Sequence, residues 1–158
     1  MPLDPRIDLD FADGTYTFAL LLPQIIELED ACGYRDHDGN RRKRGIVAVY
    51  SDVLAGLGIQ DGQLVAFPTG GKASASDCRE VVRLGLIGGG MRPAEAVRLV
   101  GLYVDARPII ERWTLAAAIL RAAIEGYEPP KKDQPAEKPA GGAPKKRRTP
   151  RRSSPTAG

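Results

Sequence analysis

The stretch "EVVRLGLIGGGM", residues 80–91, is an apolar segment running into three consecutive glycines. If those glycines cradle a phosphate, they are the active site of an enzyme. If they end a helix, the chain is a helical protein without visible chemistry. A dinucleotide loop needs G-x-G-x-x-G directly after a strand and opening a helix, so that N–H groups at the helix N-terminus meet the pyrophosphate. Here the order is reversed. Cys78, Val81, Val82 and Leu86 fall at helical spacing, which places Gly88, Gly89 and Gly90 at a helix C-terminus, where the dipole repels an anion. The spacing predicts a glycine-capped helix and a turn into a second helix opened by Pro93.

Working outward, Asp77 followed by Glu80 resembles a capping box for the first of these helices. Pro93 opens "AEAVRLVGLYVD", and Pro108 opens "IIERWTLAAAILRAAIEGY", where Ile109, Trp113, Ala116, Leu120 and Ile124 recur three to four residues apart. Toward the N-terminus, Ile46, Val49, Tyr50, Val53, Leu54 and Leu57 form a wide stripe on a helix ending near Gly56 or Gly58. Residues 59–75 carry no regular pattern, although "QLVAF" suits a short strand. The polar stretch "YRDHDGNRRKR" precedes them, and before it Pro23, Ile25, Ile26, Leu28, Cys32 and Gly33 mark another helix. In "IDLDFADGTYTFAL" Ile7, Leu9 and Phe11 alternate with polar residues, Asp13-Gly14 suits a tight turn, and Tyr16, Phe18 and Leu20 resume the period of two. The expected fold is mainly α with an N-terminal β-hairpin, an α+β arrangement of about five helices packed on the hairpin, the last helix longest.

A chain of 158 residues with 42% hydrophobic content is sized for one modest core. The net charge of +3 conceals a division. Residues 128–158 hold nine basic and three acidic residues and no aliphatic side chain larger than alanine, so they are expected to form a disordered basic tail. Residues 1–127 make the folded, mildly acidic domain. The N-terminal "MPLDPRIDLDFADG" lacks a basic region followed by an apolar one, and no window approaches the ~20 apolar residues of a membrane span. The chain is expected to stay in the cytoplasm of the cell that makes it. Cys32 and Cys78 form no Cys-x-x-Cys pair and read as reduced, buried hydrophobes.

The remaining motifs fail on chemistry. In "LVAFPTGGKAS" Ala66 and Ala73 stand where a nucleotide-hydrolase loop needs its first glycine and its magnesium-binding hydroxyl. In "DHDGN" Gly39 is displaced from its place in a calcium loop, and Val47 stands where the bidentate carboxylate belongs. His37, the single histidine, sits on a polar turn with no nucleophile beside it in sequence. Glu27, Glu29 and Asp30 read as carboxylates on a water-facing helix surface. No catalytic residue, metal site or cofactor is expected. The apolar residues Ile109, Ile110, Trp113 and Leu120 read first as core and second as the place for a protein partner. The cationic run Lys145, Lys146, Arg147, Arg148, Arg151 and Arg152 suits salt-sensitive, non-specific nucleic-acid contact, without aromatic residues for base stacking.

The strings "FADGTYTFALLLPQIIELEDACG", "VYSDVLAGLG" and "VVRLGLIGGGMRPAEAVRLVGLYVDARPIIERWTLAAAILRAAIEG" resemble the gene transfer agent tail protein family, small phage-tail-like proteins grouped with tail tube components and tail assembly chaperones. The likeness spans roughly residues 7–126. Gly85 to Gly90, the "AEAVRLV" helix and the final helix ending at Gly126 carry it most clearly. Residues 59–75 look like an insertion, and the basic tail is long for the family. The resemblance implies a non-enzymatic role in building a phage or gene-transfer-agent tail, in the bacterial host cytoplasm or within the particle. It implies partners such as tape measure or tail tube subunits, and no membrane or cofactor. A helical helper can mask the exposed apolar stripes of a tape-measure chain by helix-in-groove packing.

Overall fold

The computed structural model describes residues 3–60, 63–66 and 72–128. The basic run at 145–152 and the expected disorder after residue 128 therefore lie outside the described residues. Strands β1 (Ile7–Phe11) and β2 (Gly14–Phe18) form an antiparallel hairpin, followed by helix α1 (Leu22–Ala31). A two-residue ribbon, β3 (Tyr34–Arg35) and β4 (Arg41–Arg42), leads to α2 (Ile46–Ala55). Next come the ribbon β5 (Leu57–Gln60) and β6 (Gln63–Ala66), then α3 (Ala75–Gly88), α4 (Pro93–Tyr103) and α5 (Ile109–Glu125). This is the α+β arrangement the sequence predicts, five helices and an N-terminal hairpin.

Helix α3 is the centre. It packs against α5, α1, α4 and β2, and its Cys78, Val81, Val82, Leu84, Gly85 and Leu86 are buried. Phe18 and Leu20 meet it from the hairpin side, Leu28 from α1, Val100 from α4, and Trp113, Ile119 and Leu120 from α5. The glycines do more than end the helix. A Cβ on Gly88 would lie 1.9 Å from the Ala19 carbonyl oxygen, and one on Gly89 1.9 Å from that of Thr17. The Ala19 N–H donates to the Gly85 carbonyl at 2.9 Å, so the last turn of α3 lies backbone to backbone on the outer edge of β2. Only Gly90, at φ +108, has the left-handed conformation expected of a cap.

Several local expectations shift. The hairpin turn is Ala12-Asp13, with Gly14 paired to Phe11 and Ala12 at φ 57. The capping box lies three residues earlier than Asp77–Glu80. The Ser74 hydroxyl accepts from the Asp77 N–H at 3.0 Å, and the Asp77 carboxylate accepts from the Ser74 N–H at 2.8 Å. Glu80 instead joins Arg83, which also reaches Glu27 of α1 at 2.8 Å. The carboxylates of α1 are thus structural rather than idle. Glu29 accepts from the Ile46 N–H at 2.9 Å and caps α2 across the chain. "YRDHDGNRRKR" acquires a ribbon because the Asp36 carboxylate gathers the N–H groups of Asp38 and Asn40 and the Arg42 guanidinium. Residues 57–60 and 63–66 pair as an antiparallel ribbon, so the part of 59–75 they cover, expected to carry no regular pattern, is strand, and Leu57, read as part of the α2 stripe, belongs to β5.

Candidate partner-binding surface

Two hollows open along α5, and they share Ala118. The first, about 620 Å³, lies between the hairpin, the α4–α5 turn and the first half of α5. Leu9, Phe11, Tyr103 and Leu115 make its apolar wall, and Asp10, Arg107, Glu111 and Arg112 its charged rim. The second, about 560 Å³, continues toward the end of α5 between Ile7, Tyr50, Leu54 and Ala117, with Arg121 and Glu125 on its edge.

Local packing makes this groove rigid at its head. Phe11 stands edge-on to Phe18 at 5.7 Å and to Tyr103 at 6.2 Å, which ties the hairpin tip to α4. The Arg112 guanidinium donates to the Val104 carbonyl at 3.0 Å, and Arg79 of α3 holds Asp105 at 3.0 Å. The α4–α5 turn is therefore pinned from both sides. Small residues at 117 and 118 keep the middle of the α5 surface low, so the groove stays open there.

The four apolar residues read first as core and second as the place for a partner divide between the two environments. Trp113 and Leu120 are buried in the core, Ile110 packs against it half-buried, and Ile109 is exposed at 49%. A three-to-four-residue period records which side of a helix is apolar but not how far the neighbouring elements cover it. Leu9, Tyr103, Leu115, Ala117 and Ala118 line the groove without having been singled out by sequence. The signal available for them was the hairpin's uncovered apolar alternation and the alanine run of α5.

Among the described residues, the other groups weighed for chemistry are exposed or tied into the fold. His37 is exposed and lies 3.1 Å from Asp38 on the β3–β4 turn. Burial pushes both Cys32 and Cys78 up to about 12, with the neighbouring Asp77 carboxylate adding to it, so neither thiol is poised as a nucleophile at neutral pH. Asp77 itself is engaged by Arg44, which also binds Asp52, in a cluster joining α2 to the start of α3. Among the described residues no three metal-ligating side chains gather, and no helix is long and apolar enough to cross a membrane.

The model of one family, described as "Phage tail tube protein, GTA-gp10", matches residues 4–126. The chain belongs to that family. No curated protein and no solved structure matches it. The family is structural rather than enzymatic. The match covers the hairpin through α5, which line the groove together with Tyr127 and Glu128 just beyond it. It ends before the basic run.

Proposed function

We propose that this protein serves tail assembly by binding another tail protein, such as a tape measure or tail tube subunit, through its helical body. The observation that supports the reading is the open groove along α5, apolar on its walls and charged on its rim, on a helix whose first residue, Ile109, is also exposed although it is not part of the groove's lining. Surfaces of that composition are what protein partners cover, with a desolvated centre and a polar edge. The work is done in the host cytoplasm while the tail is built, or in the particle itself. A chaperone that visits and a tube subunit that stays use the same groove. They differ in whether the finished particle retains the protein.

The test is capture of tagged full-length protein, and of residues 1–127, from cells producing the particle, with a high-salt wash and mass spectrometry. Recovery of a tape-measure or tube protein by both, reduced at least about ten-fold by Ile109→Glu or Ala118→Arg, is the expected result. The second reading, non-specific nucleic-acid contact through Lys145 to Arg152, is supported by the charge of that run. If residues 1–127 capture no tail protein, and only the full chain retains nucleic acid at low salt, the second reading replaces the first.

A further inference from the structure

The hairpin has two edges, and only one is sealed. The outer edge of β2 is covered by the glycine turn of α3. The outer edge of β1 faces the groove along α5. In a hairpin with a two-residue loop the pairs flanking the loop exchange hydrogen bonds, and this alternates along the ladder. Phe11, Leu9 and Ile7 therefore turn their backbone groups toward β2, while Asp8 and Asp10 turn theirs outward. Among the described residues no backbone bond outside the hairpin ladder reaches Asp8 or Asp10.

The segment just before β1 already makes one strand-like pairing. The Tyr127 N–H donates to the Asp4 carbonyl at 2.8 Å, and the Asp4 N–H donates back at 3.4 Å, an antiparallel bridge formed where the chain leaves α5. Asp4 is separated from β1 by a bend at Pro5, so this bridge lies before the hairpin ladder and not within it. A single strand-like pairing is thus present near the foot of β1, and Leu9 and Asp10 border the open groove beyond it.

Charge decides what fits there. Asp8 and Asp10 are exposed, with their carboxylates accepting from Thr17 and Thr15 across the ladder at 2.6 and 2.9 Å. A second copy pairing β1 with β1 would set carboxylate against carboxylate, the arrangement by which edge strands avoid self-association. A strand with lysine or arginine beside these aspartates and small apolar residues toward Leu115 and Ala118 meets no such penalty. The geometry points to strand addition: the free edge of β1 takes an extended cationic segment of another tail protein as a third strand, seated in the groove along α5. The inference rests on the partner-binding reading and specifies the chemistry of the partner's segment.

The probe is a short synthetic peptide of alternating lysine and valine, with a glutamate–valine peptide as control, added to the isotope-labelled full chain. With the lysine peptide at ten times its Kd, amide exchange at Asp8 and Asp10 is expected to slow about ten-fold, while the glutamate peptide leaves it unchanged. Asp10→Pro removes one outward N–H and leaves the ladder to β2 intact, so it is expected to weaken the lysine peptide at least about ten-fold. Should that variant fail to fold, the Asp8→Asn, Asp10→Asn pair keeps the backbone and is expected to erase the preference for lysine over glutamate. Unprotected Asp8 and Asp10 amides, undiminished binding by folded Asp10→Pro, or protection that grows with protein concentration in the absence of peptide would each overturn strand addition. Capture lost in Ile109→Glu with no protection of β1 would overturn it while leaving partner binding standing.

Discussion

Gly88 and Gly89 show how much a single hydrogen in place of a methyl group decides. Each lets backbone meet backbone where a Cβ would overlap a carbonyl oxygen at 1.9 Å, a conflict that no rotamer change relieves. Gly88→Ala or Gly89→Ala should therefore cost about 3 kcal/mol or more in urea unfolding, the upper range for overpacking. Gly101→Ala, on an exposed turn of α4 with nothing within 4 Å, should stabilise by about 1 kcal/mol through helix propensity. Equal effects at the two sites would remove the close-approach account. The cysteines give a second residue-scale expectation. Their thiols are held neutral up to about 12, above the free value of 9.0, so the folded state keeps protons that the unfolded chain gives up. That contribution is complete below pH 9 and is lost as pH rises toward 12. The thermal midpoint should fall between pH 9 and 11, and fall less in Cys78→Ala.

Among the elements, α2 owes its place to two neighbours. Glu29 of α1 caps its first turn, and Arg44 just before it clamps Asp52 and Asp77, joining α2 to the capping box of α3. The Arg44 side chain is only 14% exposed. Arg44→Ala leaves two largely buried carboxylates without their cation and is expected to cost about 3 kcal/mol. Arg44→Lys, which cannot hold both carboxylates in a planar fork, should recover less than half of that. Chemical denaturation of the two variants checks the order. Full stability in Arg44→Ala would mean that capping alone holds α2.

For the molecule as a whole, acidic and basic character are divided between body and tail. The core is assembled from residues between Phe11 and Ala122, and the last described backbone tie is Tyr127 to Asp4. Deleting residues 129–158 should leave the midpoint of thermal unfolding within about 2 °C, because every core residue and bridge among the described residues is kept. The same deletion should abolish any salt-sensitive retention on a nucleic-acid column. A truncated protein that unfolds would overturn the division at residue 127.

The sequence by itself determined the helices, the hairpin and the place of Gly88 to Gly90 at the end of a helix. These follow from apolar period, proline and glycine placement, and the order of strand, glycine and helix, all of which are local. Three things were decided only by the tertiary structure. Gly88 and Gly89 became the seal on β2 because a carbonyl seventy residues earlier lies against them. Glu29 and Arg44 became cross-links rather than surface charges because α1, α2 and α3 converge on them. The groove fell to Leu9, Leu115 and Ala118, while Trp113 and Leu120 kept the core place read first for them, because a helical stripe does not say which of its residues a neighbour will leave open. That choice belongs to packing between elements distant in the chain, where shape rather than period sets burial.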